Sequence, residues 1–273
     1  MLRFAVIGNP VSHSKSPFIH TMFGKQTGIK LEYSRIRLEP DEVSSFVKEF
    51  FQNNGKGLNV TLPFKGVAFE LCDSQSPRAL EAAAVNTLFL DPTGKLCGDN
   101  TDGIGLFTDI RNNHNVEIAG KNILIIGAGG AVQGLLGALI NESPGHVTLI
   151  NRTESKARKL AQQFQATLPI NVVPMSAQPQ SRYDVIINGT SLSLSGKVPS
   201  INEKYIRPDC FCYDLAYGNQ ETSFVTWAKS LGATNTADGL GMLVEQGAES
   251  FKIWCGIKPE TKQVIEALRQ SIQ

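Results

Sequence analysis

The chain has 273 residues, which at roughly 150 per domain leaves room for one large domain or two modest ones and excludes a disulfide-stapled miniature. Lysine and arginine number 26 against 25 acidic residues, for a net charge of +1, so there is no electrostatic footprint for a nucleic-acid backbone. With 41% hydrophobic and 19% charged residues, and only 25 glycines and 13 prolines, the composition is that of a globular protein.

The opening Met1 to Pro10 has too short an apolar stretch for a secretory signal, and no run reaches the ~18 apolar residues of a membrane span. The five cysteines, Cys72, Cys97, Cys210, Cys212 and Cys255, are odd in number and scattered, as reduced thiols would be. The expected location is the cytoplasm, with neither membrane nor nucleic acid as a partner.

Phe4 to Gly8 is an apolar run that predicts a strand. Ser16-Pro17 then predicts a helix start, with Ser16 as N-cap, and Gly28 a helix stop. Leu31 to Leu38 alternates as a strand does, and Pro40-Asp41-Glu42 opens a helix with Val43, Phe46, Val47 and Phe50 on one face, stopped at Asn54-Gly55. Gly57 to Leu62 reads as a third strand. This βαβ rhythm predicts a mainly parallel sheet. Ala84 to Leu90 and Lys95 to Gly98 flank the turn sequence Asp91-Pro92-Thr93-Gly94, the pattern turns from Ile104 to helix, and Asn112 to Asn115 is a polar stop.

The rhythm restarts at Asn122 to Ile126, a short β-branched run that predicts a strand buried on both faces. A helix over Ala131 to Asn141, a strand His146 to Asn151, a helix Thr153 to Phe164, and strands Asp184 to Asn188 and Cys212 to Leu215 complete a doubly wound unit. Leu240, Leu243, Gly247, Phe251 and Trp254 then mark a helix face, and Pro259 begins another helical stretch; periodicity alone leaves open which domain they pack on.

Gly127-Ala128-Gly129-Gly130-Ala131 lies between a buried strand and a helix, where a glycine turn lets backbone N–H groups approach a pyrophosphate. The third fingerprint position is Val132 rather than glycine, so helix and strand must pack differently there. Where an NAD-binding fold places an acidic residue, the chain has Asn151-Arg152-Thr153, a guanidinium suited to a 2′-phosphate; NADP is therefore the expected cofactor, with Lys156 adding charge and Thr153 able to cap the next helix.

Three polar clusters sit at predicted strand ends: Ser12 to Ser16, Asn59 to Lys65, and Asn86-Thr87 with Asn100-Thr101-Asp102. Their hydroxyls and amides suit a small polyhydroxylated substrate. Lys65 and Asp102 are the ionisable pair, either a proton relay beside a reacting carbonyl or a surface salt bridge. Cys210-Phe211-Cys212 and the histidines lack metal-ligand spacing, so no metal is expected.

Gly8 to Pro17 (GNPVSHSKSP), Asn59 to Lys65 (NVTLPFK), Ala84 to Thr87 (AVNT), Gly98 to Gly103 (GDNTDG) and Asp238 to Leu243 (DGLGML), in this order, resemble the shikimate dehydrogenases over nearly the whole chain. The resemblance implies two α/β domains: a substrate domain of residues 1–102, completed by 240–273, and a Rossmann-like NADP domain of 103–239. It implies NADPH-dependent reduction of 3-dehydroshikimate to shikimate, a step of aromatic amino-acid biosynthesis. It places substrate contacts on Ser14, Ser16, Asn59, Thr61, Lys65, Asn86, Asp102, Tyr217 and Gln246, with catalysis on Lys65 and Asp102. It places NADP(H) contacts on Gly127, Ala128, Gly129, Gly130, Ala131, Asn151, Arg152, Thr153, Glu154, Ser155, Lys156, Leu215 and Gly239.

In the hypothesis that follows, the Ser14 and Ser16 hydroxyls hold the substrate carboxylate, and Asn59, Thr61, Asn86 and Gln246 hold its ring alcohols. A lysine, ordinarily of pKa ~10.4, serves as a base only if that value falls, which a neighbouring carboxylate opposes, so the division of proton transfer between Lys65 and Asp102 is open. The chain departs from the family at Asn188-Gly189-Thr190-Ser191-Leu192-Ser193, usually Asn-Ala-Thr-Ser with a glycine soon after, and at Leu215, where methionine is common. Rival readings are a broader quinate/shikimate dehydrogenase and a catalytically silent NADP-binding regulator. A monomer and a homodimer are both compatible with the sequence.

Overall fold

The computed structural model describes residues 1–272. The chain forms two compact units: Met1–Gly105 with Leu243–Ser271, and Leu106–Met242 with, among the described residues, Ile272.

The first unit is built on β1 (Leu2–Gly8), α1 (Ser16–Thr27), β2 (Leu31–Arg37), α2 (Val43–Gln52), β3 (Gly55–Val60), α3 (Lys65–Leu71), β4 (Ser74–Gln75), α4 (Pro77–Ala82), β5 (Thr87–Leu90) and β6 (Leu96–Asp99). Its sheet has the order β2-β1-β3-β5-β6-β4. The β1–β2, β1–β3 and β4–β6 pairs are parallel, whereas β5 runs antiparallel to both β3 and β6. The reversal follows from the tight Asp91-to-Gly94 turn, in which Asp91 Oδ1 accepts from Thr93 and Lys95 N–H and Gly94 takes φ +86°. The sheet is therefore mixed.

Two element boundaries differ from expectation. Lys15, not Ser16, occupies the N-cap of α1 and makes no side-chain capping bond, because the Ser14 hydroxyl already accepts from the Ser16 N–H at 3.3 Å. Gly55 is the first residue of β3 rather than a stop, since a Cβ there would overlap the Phe50 ring and only glycine lets the strand pass beneath α2.

The second unit comprises α5 (Asp102–Thr108, from Leu106 on), a π-helical turn (Asp109–Asn113), β7 (Asn122–Ile126), α6 (Gly130–Ile140), β8 (His146–Ile150), α7 (Glu154–Phe164), β9 (Ile170–Val173), β10 (Val185–Asn188), β11 (Phe211–Asp214), α8 (Ser223–Ser230) and β12 (Asn235–Asp238). All pairs are parallel in the order β12-β11-β10-β7-β8-β9, the doubly wound arrangement whose strand order reverses between β7 and β10. Ile123, Leu124, Ile125 and Ile126 are all buried, alternate residues packing into cores on opposite faces. Cys210 and Cys212 lie in one of these cores with sulfurs 3.5 Å apart.

α9 (Leu240–Cys255) leaves the second unit after Met242, and its remainder packs in the first unit with α10 (Lys262–Ile272) up to Ser271. Trp254 stacks on Phe4 at 4.9 Å, donates its indole N–H to the Leu88 carbonyl at 3.1 Å, and lies where a Cβ on Gly57 would be. Each fully buried Phe or Leu side chain of these cores contributes about 1.5–3 kcal/mol.

His20 of α1 is buried in this apolar packing. Its ring stacks on Tyr33 at 4.4 Å and meets Phe23, Phe251 and Trp254, and among the described residues neither ring nitrogen has a hydrogen-bond partner. Burial pushes its pKa down to about 3, and the nearby Asn59 carboxamide offsets only part of the effect. Since the unfolded chain binds a proton near pH 6.5 that the folded chain refuses, His20 makes stability fall as pH drops from about 6.5 towards 3, by at most about 1.4 kcal/mol per pH unit. Denaturant unfolding of wild type and His20→Phe at several pH values in that window should show a shallower acid loss in the variant.

Candidate active site

The first unit gathers its polar residues at one end of the mixed sheet. β1, β3 and β6 run towards that end and β5 starts from it, so Asn59 lies opposite Thr87 and Thr87 opposite Asp99. Beyond Val60 the chain turns, with the Phe64 N–H donating to the Thr61 carbonyl at 3.0 Å, and Lys65 becomes the first residue of α3. Its backbone carbonyl accepts from the Val85 N–H at 2.9 Å, which joins the lysine to the segment leading into Asn86.

Asp102 is the first residue of α5, and its carboxylate is shared. Oδ2 accepts from Lys65 Nζ, and Oδ1 accepts from Asn86 Nδ2 at 2.8 Å. The pair is neither buried nor free in solvent, with side-chain exposures of 25% for Lys65 and 16% for Asp102. Asn86 is fixed in turn: Nδ2 also donates to Thr101 Oγ1 at 3.0 Å, and Oδ1 accepts from the Thr101 N–H at 2.9 Å and the Thr87 hydroxyl at 2.8 Å. The carboxamide thus orients the carboxylate that holds the ammonium.

Asn59 is similarly committed. Its Oδ1 accepts from the Tyr33 hydroxyl at 2.7 Å, and its Nδ2 lies within hydrogen-bond distance of the Asn86 carbonyl (3.1 Å), Thr87 Oγ1 (3.3 Å) and Ser250 Oγ (3.1 Å). The Ser16 hydroxyl is a further neighbour of the Tyr33 hydroxyl. Ser14 Oγ donates to Ser16 Oγ at 3.2 Å, and the Ser14 carbonyl accepts from Arg35 Nε at 2.7 Å. Gln246, one turn before Ser250 on α9, accepts weakly from Thr101 Oγ1 at 3.4 Å. The hydroxyl of Thr61 has no hydrogen bond among the described residues and is available to a ligand.

Ser14, Ser16, Asn59, Lys65, Asn86, Asp102 and Gln246 therefore belong to one contiguous polar network, with Thr61 at its margin. Tyr33, Thr87, Thr101 and Ser250 complete the network. Tyr33 occupies an apolar place in an alternating strand and gives no sequence signal. Ser250 does give one, falling four residues after Gln246 on the same face of a helix. Arg78 is another residue that the pattern conceals: it donates to both Asp99 oxygens at 3.1 and 2.6 Å and to Glu249 at 3.3 Å, clamping α4, the end of β6 and α9 together just before Asn100.

Tyr217, Leu215 and Gly239 lie in the second unit with the glycine turn. Tyr217 lines a cavity of about 620 Å³ together with Ser193, Leu194, Thr222 and Trp227. The Gly239 N–H donates to the Ala216 carbonyl at 3.0 Å, and a Cβ on Gly239 would overlap the Leu215 carbonyl oxygen. In the Asn188-to-Ser193 loop, Thr190 N–H and Oγ1 both bond Asn188 Oδ1, while Asn188 Nδ2 and the Ser193 hydroxyl donate to Asp214 at 3.0 and 2.6 Å. Burial raises the Asp214 pKa, and these hydrogen bonds oppose the rise.

The glycine turn fits a dinucleotide pyrophosphate. It lies where the strand order reverses, Gly127 takes φ +117°, ideal Cβ atoms on Gly129 and Gly130 would meet nothing within 4 Å, and no side chain caps the first turn of α6. Arg152, after β8, is exposed and forms no hydrogen bond or ion pair among the described residues. Asn151 Nδ2 donates to the Thr153 carbonyl at 2.8 Å. Thr153 precedes α7 without the side-chain capping bond expected of it, which leaves its hydroxyl uncommitted to the helix, and Glu154 is paired with Arg158. Among the described residues, no cluster of three or more His, Cys, Asp or Glu side chains could hold a metal, and no helix is long and apolar enough to cross a membrane.

Residues 6–88 match the family model described as the shikimate dehydrogenase substrate binding domain, residues 110–206 that of shikimate / quinate 5-dehydrogenase, and residues 239–269 that of the shikimate 5′-dehydrogenase C-terminal domain. A shikimate dehydrogenase (NADP(+)) of Alkalilimnicola ehrlichii is 49% identical over 267 residues, covering 98% of both chains. Among solved structures, an Ael1 enzyme from Pseudomonas putida superposes with a TM-score of 0.93 at 38% identity, over 98% of each chain. A Thermus thermophilus shikimate 5-dehydrogenase in complex with NADP(H) and shikimate gives 0.88 at 31% identity, over 99% of this chain and 100% of that one.

If Tyr33 and Ser250 act through the same Asn59 carboxamide, Tyr33→Phe and Ser250→Ala each lower stability by about 1 kcal/mol, and the double variant departs from additivity by about 0.5 kcal/mol or more. Urea unfolding of the four proteins measures this; strict additivity would mean that the two contacts are independent.

Proposed function

The chain belongs to the shikimate dehydrogenase family, and on that premise we propose that it is an NADP(H)-dependent oxidoreductase interconverting 3-dehydroshikimate and shikimate. The observation that carries the proposal is the Lys65–Asp102–Asn86 chain of contacts at the end of the first sheet, where one carboxylate is held on both oxygens and presents a lysine ammonium.

Ser14 and Ser16 bind the substrate carboxylate through neutral donors, which suits an acid that must also leave. Thr61 and Gln246 contact the ring alcohols, with Asn59 contributing the acceptor capacity left on its Oδ1 and Asn86 meeting them by exchanging one of its internal bonds. Lys65 Nζ faces the reacting oxygen and carries the proton that this oxygen gains when the ketone is reduced. Asp102 fixes the ammonium in place and takes part in returning the proton. The second unit's Gly127 to Ala131 turn holds the pyrophosphate, with Arg152, Lys156, Asn151 and Thr153 on the adenosine phosphate side; Ser155, Leu215 and Gly239 complete the contacts, and Tyr217 meets the substrate. Bound NADPH supplies the hydride. The guanidinium of Arg152, lacking an internal partner, favours a 2′-phosphate over a bare hydroxyl. The reaction serves aromatic amino-acid biosynthesis, a cytoplasmic role in which the partner is a small molecule.

Nicotinamide absorbance, followed with shikimate or quinate and with NADP or NAD in four parallel assays, tests the proposal. Turnover confined to shikimate with NADP supports it; comparable rates with quinate or NAD indicate the broader dehydrogenase; silence with NADP still bound indicates a regulator. Lys65→Ala should lower kcat by about 10²–10⁴-fold with only a small change in the KM for shikimate. Arg152→Ala should raise the KM for NADP by about tenfold and leave that for NAD nearly unchanged, as expected for loss of a charge-assisted contact to the phosphate alone.

A further inference from the structure

β7 and β10 are adjacent and parallel, with Ile126 opposite Asn188, and beyond these residues their chains part. One enters the glycine turn and α6; the other enters the loop that begins at Gly189. The two exits remain packed against each other. The Gly189 N–H donates to the Ile126 carbonyl at 2.8 Å, and an ideal Cβ on Gly127 would lie 3.0 Å from the backbone carbon and oxygen of Gly189.

Val132, the third residue of α6, is fully buried in the core over this sheet. An ideal Cβ on Gly189 would overlap its Cγ2 methyl, and would also sit 3.4 Å from the Ile126 carbonyl oxygen and 3.5 Å from Leu215 Cδ1. The valine cannot readily turn away, because a β-branched side chain in a helix has one strongly preferred χ1. A side chain at 189 would therefore displace backbone, either the first turn of α6 or the loop that Asn188 ties to Asp214.

In the usual dinucleotide fingerprint the third glycine lets the helix approach the strand. Here that position holds Val132, and the missing Cβ is found instead on the neighbouring strand exit, at Gly189. We propose that Val132 and Gly189 form one steric unit that sets the height of the Gly127-to-Ala131 turn and hence the affinity for the pyrophosphate of the cofactor. Both are positioning residues. The proposal rests on the cofactor reading above and adds to it a determinant that acts on NADP and NAD alike, unlike Arg152.

Calorimetric titration of NADP+ and NAD+ into wild type, Gly189→Ala, Val132→Ala and the double variant tests it. Overpacking of this size predicts that Gly189→Ala weakens NADP+ binding by about tenfold or more, with the NADP+ to NAD+ ratio unchanged and the KM for shikimate within about twofold. Adding Val132→Ala should restore affinity to within about threefold of wild type, whereas Val132→Ala alone costs about threefold or less. Wild-type affinity in Gly189→Ala, or a double variant that binds no better than Gly189→Ala, overturns the proposal. If Gly189→Ala is insoluble, a soluble, cofactor-binding double variant supports the steric unit and an equally defective one overturns it. Failure of the wild type to bind either nucleotide defeats the cofactor reading and with it the affinity claim; thermal midpoints then report on the steric contact alone.

Discussion

The reversal of β5 is the constraint on which the first unit's site depends. A wholly parallel sheet would need a crossover between each pair of strands, and the residues preceding β5 would lie at the opposite end from Lys65. With β5 antiparallel, its start meets the ends of β3 and β6, so that Asn59, Thr87 and Asp99 come into line. Sequence positions as much as 37 apart are thereby brought within hydrogen-bond distance, as Lys65 and Asp102, each at the start of a helix, meet over the resulting row.

The network above that row is ordered from beneath. Asn86 has both amide hydrogens and its carbonyl oxygen engaged, and Asn59 is bound from Tyr33 on one side and Ser250 on the other. Buried amides in this state cannot rotate without leaving a donor or acceptor unpaired, at a cost of about 1–3 kcal/mol each. The consequence is a carboxylate and an ammonium whose positions are determined before any substrate arrives, so less ordering remains to be done on binding. Arg78 extends the same arrangement to α9, through Asp99 and Glu249.

Elements with long or repeated patterns were legible in the sequence. The strand–glycine–helix succession at Asn122 to Ala131 identified the dinucleotide turn because buried β-branched residues, a glycine cluster and a helix followed in register. α3 and α4, at 7 and 6 residues, are too short for an apolar period to declare itself, and β4 is only 2 residues long. The capping bonds expected of Ser16 and Thr153 are absent for a different reason: nearby hydroxyls and carbonyls compete for the same N–H groups, and the outcome depends on tertiary placement. The polar strings holding Ser14, Asn59, Asn86 and Asp102 were visible, whereas Tyr33 and Arg78 were not, since their partners come from elements distant in sequence.

The mutual exclusion of Val132 and a side chain at position 189 also bears on how such a sequence can change over generations. With Val132 in place, an alanine at 189 meets its Cγ2 methyl, so that exchange is closed until the valine has shortened. Shortening the valine opens a small void, a mild loss; a methyl at 189 can then fill it. The pair thus fixes an order of exchange, in which the helix valine must shorten before the loop glycine can gain a side chain.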